Sequence, residues 1–359
     1  MTVSLRSAVV GAGFIGTVHA RAIRAAGGEV SVVADPDARR ARALAAAAGG
    51  SRRSASPEAA IAAGDVDIVH ICTPNASHAP LVEAALAAGK HVVCEKPLAT
   101  SSAAAARLEQ LASKAGVAAA VPFVYRFYPM VREARARVLA GEAGRLSVIH
   151  GSYLQDWLAR PQDSDWRVDA ALGGRSRAFA DIGVHWVDLV EFVSGQRITR
   201  LCAQLLTAFS SRAGDALVHT EDAATLQFAT DGGAIGSLVL SQVANGRKNR
   251  LLLSLDGSES SVVFDHEQPD VLWLGGRERS VTIARAPEQL SPQARRYVQL
   301  PAGHPQGYQD CFNAFMADYH ATIDGADVEG LPGFSDGRRA AEITEAVLAS
   351  AARGEWVEL

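Results

Sequence analysis

A chain of 359 residues, 48% hydrophobic and 21% charged, has enough apolar material for two buried cores and the composition of an ordinary globular protein. A formal net charge of −4 removes the electrostatic basis for binding nucleic acid or an anionic membrane. No apolar stretch is long enough to span a bilayer and no secretory pattern precedes the first motif, so a cytoplasmic location is the expectation.

In chain order, 7–10 is an apolar run that enters Gly11-Ala12-Gly13-Phe14-Ile15-Gly16, and 14–26 has helical spacing. A β-branched run at 29–34 precedes a helix rich in Ala, Leu and Arg at 37–48. Residues 67–72 predict a third strand, 79–88 a helix, 91–94 a fourth strand, 101–115 a helix and 117–121 a short strand. Continuous apolar strands separated by helices imply a parallel sheet covered on both faces. A doubly wound, Rossmann-type domain is therefore expected over 1–122. Beyond it lie a helix at 129–140, a strand at 146–153 and a helix at 181–193. Residues 198–284 are mostly β, with tight turns at Asp231-Gly232-Gly233, Asn245-Gly246 and Asp256-Gly257. An extended loop is expected over 287–305, then helices at 308–323 and 336–352. Residues 123–359 thus read as a second, α/β domain: one antiparallel or mixed sheet with a face against helices. The cysteines Cys72, Cys94, Cys202 and Cys311 have no metal-like spacing, so no metal is expected; Cys72 and Cys94 end apolar runs and read as buried thiols.

The glycine motif stands between a strand and a helix, the context a dinucleotide loop requires. Gly11 permits the tight turn, Gly13 a close approach of backbone to pyrophosphate, and Gly16 close packing of helix on strand. With Phe14 and Ile15 at the helix start, these are the candidate phosphate contacts, because unpaired N–H groups and the helix dipole favour anions there. Asp35 ends the second strand, where a carboxylate bonds the ribose hydroxyls and repels a 2′-phosphate. NAD is expected over NADP, with Arg39 and Arg40 solvated on the following helix. Thr73, Pro74 and Asn75 leave the third strand at its ligand-binding end; Asn75 or Ser77 also suits a helix cap, and His78 reads as structural beside this loop.

Glu95-Lys96-Pro97 closes the fourth strand. Lys96 is one of only four lysines among 35 basic residues, and unlike arginine it has an amine that its surroundings can deprotonate. At a strand end it suits stabilisation of a developing alkoxide or, with a lowered pKa, proton transfer. Glu95 would orient it or touch the cofactor. Farther on, Asp181 and His185 are four residues apart, on one helix face, with Asp181 equally suited to cap the helix. An imidazole near a helix N-terminus stays neutral and ready to accept a proton. Tyr125-Arg126-Phe127, Gln155-Asp156-Trp157, Trp166-Arg167 and His304 have the mixed polar and aromatic chemistry of a sugar pocket. Gly173-Gly174-Arg175-Ser176-Arg177 lacks a preceding strand and reads as a mobile approach to Asp181, and Arg247, Lys248 and Arg250 as solvated.

These residues resemble the glucose–fructose oxidoreductase / inositol dehydrogenase / MocA family over nearly the whole chain. The resemblance rests on Gly11-x-Gly13-x-x-Gly16, Asp35, Thr73-Pro74-Asn75 with His78, Glu95-Lys96-Pro97, Tyr125-Arg126-Phe127 and Asp181-x-Gly183-x-His185. It implies a Rossmann domain followed by an α+β domain with an open-faced, mostly antiparallel sheet, through which members associate as dimers or tetramers. It implies catalytic roles for Lys96, Asp181 and His185, with His185 as the acid/base. It also implies Glu95, Lys96 and His78 near the cofactor, and Tyr125, Gln155, Arg167, Asp181, His185 and His304 at the substrate. The segments 154–158, 173–179 and 304–308 look most like levoglucosan dehydrogenase-like enzymes that oxidise the C3 hydroxyl of pyranosides. A cyclitol dehydrogenase, a redox-neutral glycoside-cleaving enzyme working through a 3-keto intermediate, and a non-catalytic cofactor sensor are the alternatives.

Overall fold

The structure, a computed structural model, describes residues 4–54, 56–212 and 216–359. It forms two compact units: one runs to Val124 and takes in Tyr308–Ala341, the other comprises Tyr125–Gly307 and Glu342–Leu359.

The first unit alternates strand and helix: β1 (Arg6–Val10), α1 (Phe14–Ala25), β2 (Glu29–Ala34), α2 (Ala38–Ala47), β3 (Arg52–Ser54), α3 (Pro57–Ile61), β4 (Ile68–Ile71), α4 (His78–Ala87), β5 (His91–Cys94), α5 (Ser102–Ala115) and β6 (Ala119–Ala120). The six strands lie in the order β3-β2-β1-β4-β5-β6, and all neighbours are parallel. Helices cover both faces, so Ala8, Val9, Ile68, Val69, Val92 and Val93 are fully buried, which is why these strands read as unbroken apolar runs. The order reverses between β1 and β4, and ligands bind such sheets at the carboxyl ends beside that reversal. Arg52–Ser54 escapes sequence reading because an edge strand of two arginines and a serine carries no apolar signal.

The second unit contains α6 (Pro129–Leu139), β7 (Leu146–Leu154), α7 (Ala170–Gly173), α8 (Val184–Ser194), β8 (Ile198–Leu206), β9 (Ser211–Arg212), β10 (Ala216–Leu217), β11 (Ala223–Thr230), β12 (Ile235–Ser241), β13 (Arg250–Gly257), β14 (Ser261–Asp265), β15 (Val271–Gly275), β16 (Ser280–Ala284) and α9 (Pro292–Arg295). The chain continues as α10 (Tyr308–Ile323), α11 (Phe334–Arg353) and β17 (Val357–Glu358). Nine strands form one sheet, β16-β15-β14-β13-β7-β12-β11-β8-β17, antiparallel except where β7 meets β12. One face packs on helices: Leu226, Phe228, Leu238, Leu251, Leu253 and Leu255 are buried there. Trp186 of α8 is fully buried against Phe228 and donates from Nε1 to Leu252 O at 2.8 Å. Gly151 makes room for it, since a Cβ there would lie 1.9 Å from Leu252 O and 2.8 Å from the indole nitrogen. The opposite face is open and keeps apolar residues, among them Ile235, 63% exposed, and Val239, 48% exposed.

Helix α10 belongs with the first unit. It packs on α1, Gln309 Nε2 donates to Val18 O at 3.1 Å and Tyr319 Oη to Ala118 O at 2.9 Å. The sequence reading kept 308–323 with the rest of 123–359, because a chain's return to an earlier unit has no local signal. The segment 287–305, expected as extended, contains a 3₁₀ turn at Pro287–Gln289 and the short helix α9. It is stapled by the buried Arg285 and Gln306: Arg285 Nη1 donates to Leu300 O and Gln306 Oε1, and Gln306 Nε2 to Tyr297 O.

Candidate functional site

At the end of β1, Gly11 has φ +100°, a conformation L side chains rarely adopt. A Cβ on Gly11 would lie 2.4 Å from Cys72 O, and one on Gly16 would lie 1.9 Å from Gly11 O. Around Gly13 there is open space instead, with nothing within 4 Å of a built Cβ. The loop is thus tight against the sheet and open on the side of Gly13, as a backbone cradle for phosphate requires, and Phe14 at the helix start is exposed. Asp35 is buried, its Oδ2 accepting from Ala12 N–H at 2.7 Å and its Oδ1 from Asp37 N–H at 2.8 Å. A carboxylate has about four acceptor positions, so two remain for ribose hydroxyls. The residues present therefore fit a dinucleotide. Asp37 caps α2 from Arg39 N–H at 2.9 Å, and that backbone donor holds its carboxyl below the usual range. The side chain of Arg39 is 94% exposed, solvated as read from the sequence.

The exits of β4 and β5 are braced together by His78. Its Nδ1 lies 2.8 Å from Pro97 O and its Nε2 2.9 Å from Thr73 O. Burial lowers the imidazole pKa, opposed by these two carbonyls. Ser77 stands at the start of α4 without a side-chain cap bond: its hydroxyl turns to Thr73 Oγ1 at 2.6 Å and Pro74 O at 2.7 Å. Asn75 is buried in the 3₁₀ turn between them. Glu95 is buried, its Oε2 accepting from Lys96 N–H at 3.2 Å and its Oε1 facing His19 Nε2 at 3.0 Å. Lys96 is half-buried and the Lys96–Pro97 peptide is cis. Cys72 and Cys94 are buried free thiols, pushed well above the usual range by burial.

In the second unit Asp181 is not a helix cap. Phe179–Gly183 forms a π turn that runs directly into α8, so Asp181 and His185 lie inside one continuous helical run and His185 is not at its open N-terminus. Single π turns of this kind occur frequently at functional sites. Gln242 Nε2 donates to Asp181 Oδ2 at 2.8 Å and Arg167 Nε lies 3.3 Å from Asp181 Oδ1, a setting that favours the carboxylate. The chain before Asp181 is anchored rather than loose. Glu221 Oε1 accepts from Ser176 Oγ, Arg177 N–H and Phe179 N–H at 2.7, 3.0 and 2.9 Å, and the buried Asp222 pairs with Arg177 and Arg212.

Beside His185 the ring of Tyr125 packs edge-on, centroids 5.0 Å apart. Tyr153 Oη donates to Asn249 Oδ1 at 2.9 Å, so in the Tyr125–Tyr153 hydroxyl contact Tyr125 is the donor. Asn249 Nδ2 returns to Tyr125 Oη at 3.1 Å, closing a ring of three hydrogen bonds. Gln155 Nε2 joins it through Asn249 Oδ1 at 2.8 Å, and Trp157 Nε1 donates to Gln155 Oε1 at 2.7 Å. His266 joins this network, its Nδ1 2.9 Å from Asn249 O and its Nε2 2.9 Å from Tyr128 Oη, with burial lowering its pKa. The structure thus places Tyr125, Gln155, Arg167, Asp181 and His185 in one unit, the first four in polar networks and His185 against the Tyr125 ring, while His304 is exposed on the loop stapled by Arg285. Lys248, read as solvated, binds Asp156 Oδ2 at 2.7 Å. Sequence reasoning missed Gln242, Asn249, Tyr153 and His266; a polar residue just past an alternating strand, as Gln242 is, was the only signal available.

Among the described residues no helix is long and apolar enough to cross a membrane. Nor does any cluster of three His, Cys, Asp or Glu stand ready for a metal ion.

Two family models match: the oxidoreductase family with an NAD-binding Rossmann fold over residues 5–123, and the GFO/IDH/MocA C-terminal domain over 131–263. A levoglucosan dehydrogenase of Pseudarthrobacter phenanthrenivorans is 30% identical over 326 residues, 82% of this chain and 80% of the relative. A solved levoglucosan dehydrogenase in complex with NADH and levoglucosan superposes with a TM-score of 0.92 at 28% identity, covering 99% of both chains. An inositol dehydrogenase homolog from Azotobacter vinelandii complexed with NAD+ gives 0.90 at 26% identity, covering 100% of this chain and 98% of that one. Glycine loop, strand order, open-faced sheet and sequence relatives agree, and the chain belongs to the glucose–fructose oxidoreductase / inositol dehydrogenase / MocA family of NAD-binding oxidoreductases.

Proposed function

We propose that this protein oxidises a secondary hydroxyl of a sugar, anhydrosugar or glycoside, with the C3 hydroxyl of a pyranose as the reacting group. The observation that carries this reading is the wall of the second unit. A closed ring of Tyr125, Tyr153 and Asn249, extended to Gln155 and Trp157, offers hydroxyl and amide partners for several substrate hydroxyls and aromatic faces for sugar C–H surfaces. The relatives named for levoglucosan support a pyranose; those named for inositol make a cyclitol the competing substrate.

NAD, when bound, supplies the acceptor for the hydride that leaves the carbinol carbon. His185 takes the hydroxyl proton as the C=O bond forms. Asp181, kept ionised by Arg167 and Gln242, binds a substrate hydroxyl and favours the protonated imidazole four residues along the helix. Lys96 hydrogen-bonds the reacting oxygen and stabilises its developing charge. The Gly11–Gly16 loop and Asp35 hold the pyrophosphate and ribose. Apolar residues on the open sheet face, Ile235 and Val239 among them, support self-association there as a dimer or tetramer.

The test is formation of NADH from NAD with a panel of levoglucosan, glucose, methyl glucosides and inositols. A rise with pyranoses above that with inositols supports the reading, and the reverse ranking replaces it with a cyclitol dehydrogenase. Silence across the panel with NAD bound points to redox-neutral glycoside cleavage or a sensor. The cofactor assignment has its own check: Asp35→Ser should weaken NAD by about 10-fold, the loss of one charge-assisted hydrogen bond. NADPH should gain relative to NADH in fluorescence titrations, and an unaltered ratio would remove Asp35 from ribose recognition.

A further inference from the structure

Three polar side chains from three elements meet in the core of the first unit, beneath the exit of β5. His19 of α1 and His70 of β4 are fully buried, and Glu95, just past β5, is 6% exposed. His19 Nε2 lies 3.0 Å from Glu95 Oε1, His19 Nδ1 lies 3.1 Å from His70 Nδ1, and Glu95 Oε2 accepts from Lys96 N–H at 3.2 Å. We propose that this chain is a buried hydrogen-bond relay in which His19 is a positioning residue. It clasps the Glu95 carboxylate to the Lys96 backbone, and so holds the strand exit that presents the Lys96 amine. The role given to Lys96 rests on the function proposed above.

Proton bookkeeping supports the direction of the relay. An ionised Glu95 only accepts, so His19 Nε2 carries a proton. The two Nδ1 atoms share one proton between them. With His19 neutral, that proton sits on His70, and His70 Nε2 is a bare lone pair; it has no hydrogen-bond partner among the described residues. Burial holds the His70 imidazole well below its usual pKa, so it remains neutral and ends the chain. The other titratable groups facing this cluster are Cys72 just past β4, His78 on α4, Cys94 on β5, His320 on α10 and Lys96 itself. Burial raises both thiols and lowers His78 and His320, so each is driven toward its uncharged form.

The placement is also economical for an oxidoreductase. His19 lies on the helix whose first turn forms the candidate phosphate site, and Glu95 immediately precedes Lys96 in the chain. A merely structural filler would be made more cheaply from apolar side chains, because a buried polar network stabilises only when its members are satisfied. The relay therefore links the cofactor helix to the strand end that carries Lys96.

The test uses the full-length protein and the scarcity of lysine. Wild type, His19→Leu and His19→Gln are labelled with an amine acylating reagent across a pH series. Peptide mass spectrometry follows Lys96, with Lys90, Lys114 and Lys248 as internal controls. Leucine removes the donor, the Glu95 carboxylate is freed from its clasp, and the Lys96 backbone loses its brace. Labelling of Lys96 should rise by roughly tenfold as its backbone is released, the size of one lost charge-assisted hydrogen bond. The three controls should not change, and kcat should fall with the Lys96 response while NAD binding is retained. Glutamine has an amide nitrogen to donate to Glu95 and an oxygen to accept from His70, so it should restore the wild-type labelling. An unmoved Lys96 in His19→Leu, or a glutamine variant as altered as the leucine one, would overturn the proposal. The labelling needs no substrate, so a failed substrate panel leaves this result readable.

Discussion

Replacing Lys96 by alanine is expected to lower kcat by about 10²–10⁴-fold, the range for loss of a positioned proton-transfer or charge-stabilising group. NADH titration should show cofactor binding retained. Lys96 leaves β5 at the carboxyl end of the sheet, and its backbone is held on one side by Glu95 and on the other, at Pro97, by His78. Truncating the side chain removes the amine without touching either brace, so the fold and the glycine loop should survive. Lys96→Arg separates two roles of the amine. A guanidinium keeps the positive charge but does not deprotonate in a protein. Partial activity in Lys96→Arg would assign electrostatic stabilisation, and inactivity equal to Lys96→Ala would assign proton transfer. Turnover intact in Lys96→Ala would remove Lys96 from the reaction.

Asp222→Ala should be the most destabilising single change in the second unit, by about 3–5 kcal/mol, the cost of stranding a buried charge. Asp222 is fully buried and pairs with both Arg177 and Arg212, which are also fully buried. Arg212 keeps carbonyl partners on Leu158, Arg160 and Asp163, whereas Arg177 Nε and Nη1 have none among the described residues. Without Asp222, Arg177 becomes an uncompensated charge two residues before the π turn that carries Asp181. Urea unfolding should show the loss, and turnover should fall with it as Asp181 loses its support. The pH dependence follows from the same pair. Burial, the largest influence, would raise the Asp222 carboxyl, but the two arginines together hold it below its usual value. A carboxyl depressed in the folded state stabilises fully above its unfolded pKa, near 3.9, and loses that stabilisation as pH falls through the folded value. Wild type should therefore have an acid-labile component below about pH 4 that Asp222→Asn lacks. A variant as stable as wild type in urea would mean that the triad contributes nothing net.

Much of the first unit is legible in one dimension, because each doubly covered strand must be apolar throughout and each turn at a sheet edge needs a particular residue. Val9, Val69 and Val93 sit where an unbroken apolar run places them, and Gly11 and Gly16 stand where a Cβ would strike backbone. The residues that orient the proposed chemistry are less legible. His19 reads as an ordinary helical residue until β4 and β5 bring His70 and Glu95 to it, from 51 and 76 positions away. Gln242 meets Asp181 across 61 positions, and Asn249 meets Tyr125 across 124. No periodicity encodes such pairs.

From the sequence by itself came the alternation of strand and helix, the dinucleotide loop, the carboxylate after β2 and the identity of Lys96, Asp181 and His185 as the residues to watch. Each is a local property: a run of side chains, a backbone turn, a spacing within one helix. Only the tertiary structure decided that α10 returns to the first unit, that Asp181 sits in a π turn rather than at a cap, and that Arg167 and Gln242 hold it. It alone decided that Ser176 to Phe179 are pinned by Glu221. These depend on which distant polar groups find partners once apolar burial has brought the chain together, since a buried donor or acceptor is costly to leave unmatched.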